Sequence, residues 1–101
     1  MAKKILAAFP AGHPAFAGHF PGNPIVPGVL LLDELMHALA ADLDRGYAAF
    51  TVESVKFLYS ARPGDVVYWV YTPVRADAVR FVLTVGDHDA VVGVIVVGPK
   101  T

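Results

Sequence analysis

Between Pro27-Gly28 and Gly46 the chain runs from Val29 to Arg45 without a helix breaker, and its apolar residues recur with a helical period. At about 100° per residue, Leu31, Leu32, Leu35, Met36, Leu39 and Leu43 fill a wide arc, while Glu34, His37, Asp44 and Arg45 mark the opposite side. Asp33 falls on the border between the two. Pro27 and Gly28 at the start, Arg45 in the last turn and Gly46 as the stop predict one helix over 29–45. A helix with so broad an apolar face must lie on something. The rest of the chain supplies it, because after Gly46 the period drops to two and predicts strands near 48–60, 66–74, 78–86 and 90–98.

Residues 3–9 read as a further, first strand. The short turns Arg62-Pro-Gly-Asp65, Arg75-Ala-Asp77 and Gly86-Asp-His-Asp89 are of a length that joins antiparallel neighbours, which predicts a four-stranded meander after the helix. In the first strand of that meander the alternation slips from Phe50 and Val52 to Val55, Phe57 and Tyr59, so a bulge is expected near Glu53 and Ser54. The expected class is α+β, with an antiparallel sheet able to wrap around a single apolar helix. Residues 10–27 stand apart. Pro10, Gly12, Pro14, Gly18, Pro21, Gly22, Pro24 and Pro27 forbid regular structure there, and long connections of this kind in compact domains are usually functional.

A chain of 101 residues fits one domain, residues 1–101. With 55% hydrophobic and only 17% charged residues it carries more apolar surface than so small a domain hides by itself, which predicts a partner subunit, most simply a second copy. The longest apolar stretch, Val26 to Ala41, is interrupted by Asp33, Glu34 and His37 and is too short to span a membrane. No export signal is read at the start, and the absence of cysteine fits a cytoplasmic protein without disulfides or zinc-thiolate sites. A net charge of −1 with scattered Lys and Arg argues against nucleic acid as a partner. The histidines at 13, 19, 37 and 88 match no metal-ligand spacing, so no metal site is expected. By this reading His13 is a loop residue, His37 a helix-surface residue and His88 a turn residue without a function.

The run Gly18-His-Phe-Pro-Gly-Asn-Pro-Ile-Val-Pro-Gly-Val-Leu-Leu-Leu-Asp33 resembles the signature of the FabA/FabZ family of 3-hydroxyacyl-acyl-carrier-protein dehydratases, and the chain looks like a short FabA-like or ApeI-like member. Its carboxylate stands fourteen residues after the histidine and is Asp, the FabA-like choice. Glu53-Ser-Val-Lys-Phe57 and Arg62-Pro-Gly-Asp65 are similar to the family's next strand and turn. The resemblance implies a hotdog fold, a sheet wrapped around a long central helix. It implies dehydration of an acyl-carrier-protein-linked or CoA-linked 3-hydroxyacyl thioester, no cofactor, and a homodimer or higher homo-oligomer in which the histidine and carboxylate of one site come from different subunits.

The chemistry explains why these residue types belong together. A base must take a proton from C2 while an acid helps the C3 hydroxyl leave as water. His19 suits the base, and Asp33, a carboxyl on a mostly apolar helix, suits the acid. Negative charge developing on the thioester oxygen needs an N–H donor, and Gly28, at the helix N-terminus and without a side chain, is the candidate. Pro21, Pro24 and Pro27 restrict the loop that carries His19.

Competing readings are carried beside this one. Glu34, next to Asp33, is taken as part of the solvated stripe, with the register open by one residue. Tyr68, Trp69 and Tyr71 line the acyl tunnel or are plain core. A hotdog thioesterase would use Asp33 alone, and a non-catalytic subunit that binds acyl carrier protein would use neither residue for chemistry. The chain departs from fuller relatives in starting almost at the first matched strand and in carrying His at position 13, where an acidic or polar residue is common.

Overall fold

The computed structural model describes residues 3–10, 12, 25–46 and 49–99. Six elements follow one another: β1 (Lys4–Phe9), α1 (Gly28–Leu43), β2 (Phe50–Phe57), β3 (Asp65–Arg75), β4 (Ala78–Val85) and β5 (His88–Val97). The strands form one five-stranded antiparallel sheet in the order β1-β3-β4-β5-β2. Alternation puts Val67 and Trp69 of β3, Phe81 and Leu83 of β4 and Val91 and Ile95 of β5 on the face that meets the helix, all buried. Leu31, Leu35, Met36 and Leu39 of α1 close that core, and Leu32 and Leu43, expected in the same arc, are only partly buried at its edges.

The expected meander is corrected. Only β3, β4 and β5 follow one another across the sheet, whereas β2 pairs with β5 and β3 with β1. Residues 58–64 therefore cross from one side of the sheet to the other instead of making a hairpin. Backbone hydrogen bonds hold that crossing at three places. Leu58 donates to Ala90 O, Val26 donates to Ala61 O, and Gly64 donates to Phe9 O, at 2.8, 2.8 and 2.7 Å. The second bond ties the crossing to the chain that enters the helix, and Ala61 is fully buried there.

The bulge falls where the slip in alternation put it, between Val52 and Ser54. Opposite it, a Cβ on Gly93 would stand 2.2 Å from Ser54 O, so only glycine lets β5 approach the bulged strand. The helix end is corrected too. Asp44, not Gly46, takes the left-handed conformation at φ 51°, and Arg45 lies beyond the helix rather than in its last turn. Aspartate tolerates that conformation. The Arg45 guanidinium folds back to donate to the carbonyls of Leu43 and Asp44, which satisfies groups that the helix leaves open.

Candidate functional site

Pro27 precedes the helix in an extended conformation, φ −56° and ψ 135°, and provides no side-chain cap. The Leu30 N–H turns back to Pro27 O at 3.0 Å, while the N–H groups of Gly28 and Val29 have no acceptor within the helix. Both residues line a cleft of about 750 Å³. Its walls include Ile25, Pro27, Gly28 and Val29 from the helix entry, Phe57 from the end of β2, and Tyr59 and Arg62 from the crossing segment. The lining is chiefly apolar with a few polar groups, the usual make-up of a small-molecule site.

Gly28 is fixed by more than chain entry. A Cβ there would lie 2.5 Å from Cδ1 and 2.7 Å from Cε1 of Phe57, so the helix N-terminus and this ring meet only because the side chain is absent. Phe57 is 49% exposed, and it continues an open apolar strip with Val29 at 71%, Leu58 and Tyr59.

Asp33 lies five residues into the helix from Gly28, about 7.5 Å along the axis and about 40° around it from Val29. Its side chain is 48% exposed. Oδ2 stands 3.5 Å from Nε2 of His37, one turn later on the same face. Glu34 is likewise only partly buried. His19 lies outside the described residues, as do Phe20, Pro21, Pro24 and His13, so Gly28 and Asp33 are the proposed site residues whose surroundings are described.

Two histidines taken as bystanders have specific neighbours. His37 pairs with Asp33, a contact that the spacing of four on a helix signals in the sequence. His88 stacks on Tyr59 with ring centroids 3.9 Å apart and 6° between planes, so it backs one wall of the cleft, and no local pattern announces that contact. The aromatic residues of β3 play other parts. Trp69 is core, Tyr68 is on the opposite face of the sheet and partly exposed, and Tyr71 donates its hydroxyl proton to Asp42 near the far end of the helix. None of the three lines this cleft. At that far end the Tyr71 hydroxyl is pushed up to about 12, first by its bond to Asp42 and then by burial. The same bond, with Lys4 3.5 Å away, holds the Asp42 carboxyl below its usual range.

Comparison with known proteins places this chain among relatives. The family model described as ApeI-like, ApeI dehydratase, matches residues 2–94. The 3-hydroxyacyl-acyl-carrier-protein dehydratase FabZ of Chlamydia trachomatis serovar L2 is 44% identical over 63 residues, covering 54% of this chain and 41% of the relative. FabZ of Lactobacillus helveticus is 42% identical over 59 residues, 52% of this chain and 40% of the relative. The matches thus span about two fifths of these curated relatives. Two solved structures share the fold over nearly the whole chain. A chain of the dehydratase heterocomplex ApeI:P from Xenorhabdus doucetiae gives a TM-score of 0.70 at 21% identity, covering 98% of this chain and 100% of that one. An uncharacterized protein from Erwinia carotovora subsp. atroseptica gives 0.71 at 24%, with 98% of each chain covered. The α+β hotdog architecture expected from the resemblance is the one observed.

Proposed function

The chain belongs to the ApeI-like dehydratase family, and from that premise we propose that it removes water from a 3-hydroxyacyl thioester to give the trans-2-enoyl thioester, in fatty-acid-like or polyketide-like synthesis. The observation that carries the proposal is the uncapped helix N-terminus at Gly28, open to an apolar cleft, with a half-exposed carboxyl one and a half turns further along the same helix. An enolate-forming reaction needs a donor for the thioester oxygen and a proton source; Gly28 lines the cleft, whereas Asp33 does not line the cleft of its own chain and fits an acid supplied across a dimer.

In this reading His19 takes the C2 proton, the Gly28 N–H donates a hydrogen bond to the thioester oxygen as negative charge develops on it, and Asp33 protonates the departing C3 hydroxyl. The acyl group is carried by acyl carrier protein or CoA. Residues 1–101 act as one hotdog unit without a cofactor, in the cytoplasm. Among the described residues no helix is long and apolar enough to cross a membrane. The working form is a homodimer or a higher homo-oligomer, with His19 and Asp33 of one site on different subunits. Support comes from the open strip of Val29, Phe57, Leu58 and Tyr59 and from β2, which stands at one edge of the sheet.

The test is incubation of the purified chain with 3-hydroxyacyl thioesters on both carriers. Enoyl thioester is the expected product. Release of free thiol without enoyl product would mean a thioesterase instead. A second reading has one observation in its favour, because a structure of the same fold belongs to a dehydratase heterocomplex. If this chain were one half of such a complex, it would show no turnover alone and gain it on adding a second, different dehydratase chain.

A further inference from the structure

A second cleft, of about 230 Å³, shares no lining residue with the one at Gly28. Its lining includes Ser54 and Lys56 of β2, Arg80 of β4, and Val92 and Val94 of β5, the strand between them. Ser54 pairs with Val94, Val94 with Arg80, and Lys56 with Val92, so all five lie on the face of the sheet turned away from α1. With strands about 4.8 Å apart, the Cα atoms of Ser54 and Arg80 are about 10 Å apart, and Lys56 stands about 7 Å further along β2. The bulge after Val52 sets this corner, since it puts Ser54 on the outer face.

Charge decides what fits there. Lys56 and Arg80 are exposed, and among the described residues neither has an ion-pair partner, whereas Lys4 is held by Asp42 and Arg75 by Glu53 and Asp77. Glu53, next to Ser54 in the chain, is turned to Arg75 at 2.5 Å and does not line the cleft. Two positive charges and a hydroxyl therefore border a floor of partly buried valines, and no carboxylate among the described residues lines it. Arg80 offers a planar fork of N–H donors, Lys56 a compact charge and Ser54 a hydroxyl, a set that the three oxygens of a phosphate monoester satisfy together. A carboxylate, with two oxygens and one charge, leaves a donor unused. We propose that this cleft binds the phosphate group of a small organic phosphate, whose apolar part lies on Val92 and Val94.

The test is an NMR titration of the isotope-labelled protein with inorganic phosphate and with n-butyl phosphate, sodium chloride keeping the ionic strength constant. Saturable shifts are expected at the amides of Ser54, Lys56, Arg80, Val92 and Val94. The butyl ester should bind roughly tenfold tighter, because its chain covers the valines. Lys56→Ala and Arg80→Ala, both at exposed positions, should each weaken binding roughly three- to tenfold, while Lys3→Ala, ahead of β1 at the opposite edge of the sheet, should leave it unchanged. Shifts that sodium chloride alone reproduces, shifts centred elsewhere, or undiminished binding by the double variant Lys56→Ala/Arg80→Ala would overturn the site. Equal binding of the two phosphates would overturn the part given to Val92 and Val94. A response to oligoglutamate with none to either phosphate would also overturn it, and would make this face a docking patch for an acidic protein.

Discussion

The two ends of α1 are built in opposite ways. At the C-terminal end the protein uses its own groups throughout: Asp44 turns the chain, Arg45 covers the carbonyls of Leu43 and Asp44, and Tyr71 and Lys4 both hold Asp42. At the N-terminal end there is, among the described residues, no side-chain cap, but a glycine where a methyl would not fit, a cleft, and Val29 and Phe57 left open. A protein that needed only stability would close both ends. The difference separates what holds the fold from what faces a ligand, so substitutions at one end should change melting and at the other turnover.

The largest effect should come from the proposed catalytic pair. His19→Ala is expected to lower turnover roughly 100-fold or more, and Asp33→Asn comparably, with melting nearly unchanged, whereas Glu34→Gln should be mild. Parallel kinetics and thermal melts check this, and an inactive Glu34→Gln beside an active Asp33→Asn would move the acid by one residue. Gly28→Ala should come next. The added methyl meets the Phe57 ring, which has open space to swing into, so the cost in stability should be about 1 kcal/mol. Turnover should fall more steeply, roughly 10- to 100-fold, because both the proposed donor N–H and the wall of the cleft move.

The smallest effect is expected at the closed end. Asp42→Asn should cost about 0.5 to 1 kcal/mol, as part-exposed pairs do, and leave kcat unchanged. The pair also sets a pH dependence. Because the Tyr71 hydroxyl is raised from 10.0 to about 12, its contribution is complete below pH 10 and fades as the pH rises through that interval. The Asp42 carboxyl is lowered from 3.8, so its contribution is present above that value and fades as the pH falls through the lowered one. Urea unfolding across both ranges should show the alkaline loss in the parent and its absence in Tyr71→Phe.

Much of this was legible in the sequence where spacing is local. The apolar period announced α1, the slip after Val52 announced the bulge, and the run from Gly18 to Asp33 announced the family. The errors share a cause. Alternation tells that residues 50–57 form a strand but not which strand lies beside it, because the crossing at 58–64 is held by backbone bonds to Ala90, Val26 and Phe9 that leave no mark on side-chain type. Gly46 looked like the helix stop because glycine favours the left-handed region, yet Asp44 reaches it first, with Arg45 covering the carbonyls. The stack of His88 on Tyr59 joins residues far apart in the chain and had no local signal. His37 has one, its place four residues after Asp33 on the polar side of the helix.

The most direct test of a shared site at the open end of the helix is to refold His19→Ala and Asp33→Ala together and measure enoyl formation against each variant refolded alone. Random exchange makes half of the dimers mixed, and each mixed dimer has one intact site of two, so about a quarter of parental activity should return from two inactive proteins. No recovery, with subunit exchange confirmed by differently tagged copies, would contradict the account, because it would place both residues of a site in one chain or remove one of them from the chemistry.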